Sequence, residues 1–180
     1  MSVVLHINGW PGCGKLTIGR IVAGRLGARL LDNHTLLNPA SALFDRDDPL
    51  HGALRQEVRA IVLGYAARLA AGVGIVLTDA LADDAQDTAQ FAAYRTLAAA
   101  RGARLVSVVL ACEAGENVRR LTDGRRADQH KLMLPETLHR LRGAYRLLRP
   151  EGVEAIALDV TALDAETAAE AVLARLGTGN

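Results

Sequence analysis

The sequence has few cysteines, almost no excess charge of either sign and no long hydrophobic run. Two cysteines in 180 residues, Cys13 and Cys112, are too few for the disulfide framework of a small secreted protein, which favours free thiols. With 21 basic and 20 acidic residues the formal net charge is +1, which argues against a protein dedicated to binding extended nucleic acid. No apolar stretch approaches the roughly 18 residues of a transmembrane helix, so no membrane partner is expected.

The amino-terminal residues also lack a targeting signal. Residues 1–10 have neither the basic start nor the small-residue cleavage site of a secretory signal peptide. Together with the free thiols, this predicts a cytoplasmic protein. Because half of the 180 residues are hydrophobic, a single domain over 1–180 with a substantial core is predicted, and the oligomeric state stays open.

Short apolar runs alternate along the chain with segments of helical spacing. The runs predict buried strands at 3–7, 29–31, 75–78, 104–111 and 155–160. The helical spacing predicts helices at 15–26, 54–71, 83–100 and 165–176, with two more within 117–148. Strands that alternate with helices indicate parallel β-α-β units, and therefore an α/β fold.

A glycine-rich segment joins the first predicted strand to the first predicted helix. It reads Gly9-Trp10-Pro11-Gly12-Cys13-Gly14-Lys15-Leu16-Thr17. Glycines allow consecutive backbone N–H groups to turn towards an anion, while the helix N-terminus and a lysine add positive charge. The first and third glycines and the lysine match the spacing G-x-x-x-x-G-K, although leucine occupies the usual Ser/Thr position. This predicts a phosphate-binding loop whose nucleotide-binding residues are Gly9, Gly12, Cys13, Gly14, Lys15, Leu16 and Thr17.

Two carboxylates end predicted strands at the edge where this loop begins. Asp32 follows the second strand, where it could accept a proton from a substrate hydroxyl or hold magnesium, or simply cap a helix. Asp79 closes the third strand, as a magnesium-associated acid or as an ordinary turn residue. The sequence does not decide which of the two is the base and which the metal ligand.

Four arginines lie within the eight residues 119–126. Such a cluster repels itself unless water or an anion screens it, and guanidinium groups match phosphate geometry well. The alternative is a solvated basic helix face. Because the cluster follows the fourth strand in a chain with a phosphate-binding loop, contact with phosphate is favoured.

These segments resemble those of the P-loop small-molecule kinases. The pattern G-x-P-G-x-G-K-x-T is similar to the loop of adenylate kinase, and Leu31-Asp32-Asn33-His34 resembles the acidic motif of shikimate- and gluconate-kinase-like enzymes. The resemblance implies a three-layer αβα fold, with a five-stranded parallel sheet in the order 2-3-1-4-5. It also implies a helical lid at roughly 117–134 and an acceptor-side segment at roughly 33–71.

The resemblance implies roles for individual residues. Lys15 and the loop amides would hold the β- and γ-phosphates of the nucleotide, and Thr17 with Asp79 would hold magnesium. Asp32 would orient or deprotonate the acceptor as a catalytic residue.

Further roles concern the lid and the last strand. The run Arg120-Leu121…Gly124-Arg125-Arg126 resembles the start of the adenylate kinase lid, with one extra residue before the glycine. Arg120 would then stack on the base, while Arg125 and Arg126 are catalytic candidates that neutralise the transferring phosphoryl group. The extra residue leaves open which of the two does so. Thr161, after the fifth strand, is a candidate beside the adenine.

The predicted function is an ATP- and Mg²⁺-dependent phosphotransferase that moves the γ-phosphoryl group to a small acceptor. The acceptor would bear a hydroxyl or a phosphate, and the sequence does not distinguish ATP from GTP. Two alternatives are a nucleotide-dependent switch or ATPase that controls a partner, and a kinase that acts on a nucleic-acid end.

Overall fold

A computed structural model describes residues 2–123 and 134–177 of the chain. Strands and helices alternate through most of this part. In chain order the elements are β1 (Val3–Gly9), α1 (Lys15–Leu26), β2 (Arg29–Asp32), α2 (Asn33–Ser41), α3 (Pro49–Ala66), β3 (Ile75–Asp79), α4 (Ala85–Ala100), β4 (Arg104–Ala111), α5 (Ala114–Leu121), α6 (Pro135–Ala144), β5 (Glu154–Asp159) and α7 (Ala165–Gly177).

The five strands form one parallel sheet in the order β2-β3-β1-β4-β5, which confirms the predicted order. Strand β1 is central, and Leu5 lies between Val76 of β3 and Val106 of β4. All residues of β3 are buried, because helices cover both faces of the sheet. The continuous apolar runs in the sequence reflect this double coverage.

Two separate apolar clusters hold the helices against the sheet. On one face, Ile18 and Val22 of α1 and Val172 of α7 pack against the strands. On the other face, Leu63 of α3 and Phe91 of α4 do so. The result is the predicted three-layer αβα arrangement.

The structure differs from the predicted elements between β2 and β3. Helix α2 was not predicted, because Pro39 lies inside it and its polar residues are typical of a loop. Helix α3 begins at Pro49, five positions before the predicted start at 54, and ends at Ala66 rather than at 71. Asp48 caps α3, since its side chain accepts a hydrogen bond from the Leu50 N–H at 2.8 Å.

A second difference concerns the segment after β4. Helix α6 ends at Ala144, and the chain that follows is extended instead of helical as far as 148. Leu147 forms an antiparallel bridge with Ala82, and the Leu148 N–H donates to the Leu81 carbonyl at 2.9 Å. Most of the predicted lid at 117–134 lies outside the described residues. Within 2–123 and 134–177, no helix is both long and apolar enough to cross a membrane.

The carboxyl-terminal end of α3 is closed by Arg101, which follows α4. Its guanidinium donates hydrogen bonds to the backbone carbonyls of Ala66, Leu69, Ala70 and Val73. Ala66 is the last residue of α3, and the other three carbonyls lie in the turns that follow it. Arg101 therefore holds the connection that leads from α3 into β3.

We expect Arg101→Met to lower the free energy of unfolding by about 1–3 kcal/mol, because four carbonyls lose a charged donor. Urea denaturation at neutral pH measures this change. Arg20→Met is the control, since Arg20 is exposed on α1 and its substitution should change stability by less than about 0.5 kcal/mol. Equal midpoints for the two variants would contradict the prediction.

Candidate active site

The glycine-rich loop turns sharply before it enters α1. Gly12 and Gly14 have φ values of +93° and +94°, a region that side chains with a Cβ rarely adopt. Gly14 is also the N-cap of α1, and no side chain caps that helix. The first backbone N–H groups of α1 are therefore left for another acceptor, as in an anion-binding helix N-terminus.

The loop is packed tightly against α5 behind it. A Cβ on Gly12 would lie 2.7 Å from Nδ2 of Asn117, so no larger residue fits without a shift. Asn117 is fully buried, and its Nδ2 donates to the Pro11 carbonyl at 2.8 Å. Gly9 and Cys13 are buried as well, and neither lines the cleft described next.

A cleft of about 600 Å³ opens in front of the loop. Lys15, Leu16 and Thr17 line one wall, together with Gly12 and Gly14. The end of β2 lines the cleft as well, together with α2 and the start of α3, which belong to the predicted acceptor-side segment. The Nζ of Lys15 donates to the Trp10 carbonyl at 3.3 Å, which holds the lysine over its own loop.

Asp32 lies at the carboxyl end of β2 and lines this cleft. It is also the N-cap of α2, because its Oδ1 accepts from the His34 N–H at 2.9 Å and its Oδ2 from the Thr35 hydroxyl at 3.1 Å. The interpretation as a helix cap is therefore confirmed, and Asp32 lines the cleft as well. Its predicted role towards an acceptor or magnesium stays a prediction.

A comparison with solved structures gives matches over nearly the whole chain. The matches include a sugar kinase of Janibacter sp. at 21% identity, with a TM-score of 0.65 and coverage of 99% of this chain and 96% of that one. They also include the APS kinase CysC of Mycobacterium tuberculosis at 19% identity, with a TM-score of 0.63 and 98% of both chains covered. Shikimate kinase of Acinetobacter baumannii matches at 17% identity, with a TM-score of 0.63 and coverage of 100% and 95%.

The chain has the fold of the P-loop small-molecule kinases. At these identities the likeness concerns the fold. A comparison with protein-family models and one with curated protein sequences give no match.

Within this P-loop kinase fold, Asp79 is surrounded by other side chains. It is only 2% exposed, and its Oδ2 accepts from the Tyr94 hydroxyl at 2.6 Å. Gln90 donates to Oδ1 at 3.3 Å, and a guanidinium nitrogen of Arg59 lies 4.0 Å from Oδ1. His6 Nε2 is 3.6 Å from Oδ2, beyond hydrogen-bond distance. Asp79 does not line the cleft, so its predicted role as a magnesium ligand stays a prediction.

The surroundings of Asp79 shift two pKa values. Burial opposes its ionisation, but His6, the Tyr94 hydroxyl and Arg59 outweigh burial and hold the pKa of the Asp79 carboxyl below its usual value. Burial, reinforced by the charge of Asp79, raises the pKa of Tyr94 well above its usual value. The carboxylate is therefore ionised at neutral pH and the phenol is a donor to it.

The two remaining predicted nucleotide contacts meet at the loop after β5. Arg120 donates from one guanidinium nitrogen to the carbonyls of Val160, Thr161 and Leu163, at 2.9–3.1 Å. The Thr161 hydroxyl accepts from the Glu113 N–H at 2.9 Å, which ties this loop to the start of α5. The structure thus brings Arg120 and Thr161 together, and their contact with a base stays a prediction.

The two predicted catalytic arginines of the lid, Arg125 and Arg126, lie outside the described residues.

Sequence reasoning missed the arginines of α3. Arg55 lines the cleft, and both Arg55 and Arg59 donate to Oδ1 of Asn33 at 3.4 Å. The two arginines are four positions apart, a spacing that places both on one face of a helix, and this was the signal in the sequence that could have found them. It was missed because the sequence segment 33–71 shows no pattern that separates a cleft arginine from a surface one.

We expect Asp79→Asn to lower the free energy of unfolding by about 3 kcal/mol at pH 7, because Arg59 loses the carboxylate 4.0 Å from it. The stabilisation by Asp79 is fully present above its unfolded-state pKa of about 4, and is lost as the pH falls through its lower folded-state pKa. The difference between wild type and variant should therefore shrink at about pH 3. Urea denaturation at both pH values measures it.

Asp45→Asn is the matched control, since Asp45 is exposed and should show no such difference. Equal stability of wild type and Asp79→Asn at both pH values would contradict a structural role for Asp79. It would favour the predicted role of Asp79 as a magnesium ligand.

Proposed function

We propose that the chain is an ATP- and Mg²⁺-dependent phosphotransferase that acts on a small acceptor. The observation that carries this proposal is the cleft itself. The uncapped N-terminus of α1, Lys15 and Asp32 all line it. A donor that holds phosphates and a carboxylate that contacts an acceptor hydroxyl are the two parts that phosphoryl transfer requires.

The donor side of the cleft suits a magnesium-bound triphosphate. Gly12 and Gly14 permit the backbone to approach phosphate oxygens, and Lys15 supplies a full positive charge. Among the described residues, no three or more His, Cys, Asp or Glu side chains gather at one point. Magnesium usually takes one or two protein ligands and completes its shell with phosphate oxygens and water, so Thr17 with one carboxylate would suffice.

Asp32 would act on the acceptor. When bound, ATP supplies the phosphoryl group, whose bond to ADP breaks as the acceptor oxygen bonds to phosphorus. Asp32 would orient the acceptor hydroxyl and accept its proton in that step. Lys15 would stabilise the negative charge on the transferring group, and the predicted lid would exclude water.

Arg55 supports an acceptor that carries an anionic group as well as a hydroxyl. Burial and the neighbouring charge of Arg59 lower the pKa of Arg55, so its positive charge is poorly compensated. Arg55 also lines the cleft. A carboxylate, phosphate or sulfate of the acceptor would pair with its guanidinium from within the cleft.

We expect ADP release from Mg·ATP to increase when the true acceptor is added. The panel spans nucleoside monophosphates, shikimate, sugar acids, nucleosides and hydroxyl-bearing antibiotics. Lys15→Ala should reduce acceptor-stimulated turnover by roughly a hundredfold or more. Arg20→Gln, which removes an exposed charge from the same helix, should retain it.

Slow ATP hydrolysis that no acceptor stimulates would favour the alternative of a nucleotide-dependent switch. Stimulation by a single-stranded oligonucleotide end alone would favour a nucleic-acid-end kinase. Turnover that survives Lys15→Ala unchanged would contradict the proposed role of the loop.

With an anionic acceptor in hand, Arg55→Gln should raise the KM for that acceptor about tenfold or more, because a charged hydrogen bond is lost. The KM for ATP should change little, since Arg55 belongs to α3 and not to the loop that is proposed to hold the nucleotide. Arg55→Lys should restore part of the affinity, which a purely structural defect would not show. An unchanged acceptor KM in Arg55→Gln would exclude the anionic contact.

A further inference from the structure

A second cavity, of about 550 Å³, lies beside the phosphate-binding loop. Trp10 of the loop and the last residues of β4 form one side, and the segment 142–149 forms the other. None of its lining residues lines the cleft of the candidate active site. It is therefore a separate cavity, and no role proposed above uses it.

The cavity is strongly basic. Arg142, Arg146 and Arg149 line it, and Asp83 is the only acidic residue among its lining residues. In the described part of the chain, the guanidinium groups of Arg146 and Arg149 form no hydrogen bond or ion pair with another residue. Two such groups around one cavity repel each other unless water or an anion screens them.

The third arginine is fixed in place. One nitrogen of Arg142 donates to the Cys112 carbonyl at 3.0 Å and to Oδ1 of Asn117 at 2.9 Å. Its other guanidinium nitrogens form no hydrogen bond with a described residue, and Arg142 is one of the residues that line the cavity. A positioned guanidinium flanked by two exposed ones is suited to oxyanions, which accept two parallel hydrogen bonds from each group.

We propose that this cavity binds a small molecule with at least two oxyanion groups, of the phosphate or carboxylate type. The arginines would hold the anionic groups, and Trp10 with Leu147 would contact the remainder of the molecule. This proposal goes beyond phosphotransfer and does not depend on it.

The cavity is joined to the phosphate-binding loop by a short chain of contacts. Arg142 donates a hydrogen bond to Oδ1 of Asn117, and Nδ2 of Asn117 donates one to the Pro11 carbonyl at 2.8 Å. Trp10, which lines the cavity, is the residue before Pro11. Its backbone carbonyl accepts the hydrogen bond that the Lys15 Nζ donates. A ligand in the cavity therefore contacts the same short segment that positions the loop.

Trp10 makes the test direct, because it is the only tryptophan of the chain. Pyrophosphate is the probe, and its binding is followed by tryptophan fluorescence and by calorimetry. Four proteins are compared: wild type, Lys15→Ala, the double variant Arg146→Gln/Arg149→Gln, and the control Arg20→Gln/Arg140→Gln. Both double variants remove two positive charges from exposed arginines, so both should fold.

We expect two classes of pyrophosphate site in the wild type. Lys15→Ala should weaken only the class at the loop, and Arg146→Gln/Arg149→Gln should weaken the other at least tenfold. The control should bind like the wild type. Citrate in place of pyrophosphate distinguishes a carboxylate ligand from a phosphate ligand, because only the matching probe should reach the higher affinity at this cavity.

Two results would overturn the proposal. One is a single class of site that Lys15→Ala removes. The other is identical binding by Arg146→Gln/Arg149→Gln and by the control. Neither result bears on phosphotransfer, which is measured separately by ADP release, so the two proposals fail independently.

Discussion

The fully buried side chain of Asn8, at the carboxyl end of the central strand, holds together the connections on which the site depends. Its Nδ2 donates to the carbonyls of Leu81 and Leu148, at 3.0 and 3.2 Å, and its Oδ1 accepts from the Leu81 N–H at 2.8 Å. One amide thereby joins β1, the chain after β3 and the chain after α6. The glycine-rich loop begins directly after Asn8, so these bonds fix the residue from which the loop turns.

Charged side chains lie close together where α3 lines the cleft. Asp79 is buried close to Arg59, while Arg55 and Arg59 share the single acceptor of Asn33. Asp79 and Asp87 both act on the charge of Arg55. The cleft itself is lined by three aspartates, Asp32, Asp47 and Asp48, and by the cations Lys15, Arg46 and Arg55, so both signs of charge face it. The second cavity differs, because Arg142, Arg146 and Arg149 line it together with a single acid, Asp83.

The fold was largely predictable, and the exceptions have local causes. The order of strands and helices, the parallel sheet and the loop before α1 follow from apolar periodicity and glycine spacing, which act over a few residues. Helix α2 was not predicted because the Asp32 cap and the packing against α3 stabilise it. In addition, Pro39 inside the helix makes the sequence look like that of a loop. The end of α6 escaped prediction because the bridge from Leu147 to Ala82 competes with a helix.

The sequence by itself determined the position of the glycine-rich loop and of Asp32, because both depend on residues adjacent in the chain. Only the tertiary structure decided that Asp79 faces Tyr94 and Arg59, that Arg55 lines the cleft, and that Asn117 supports the loop. Asn117 and Pro11 are 106 positions apart. Contacts of this kind form when the carboxyl ends of parallel strands come together at one edge of the sheet. The pattern of neighbouring residues in the sequence does not indicate which side chains are then in contact.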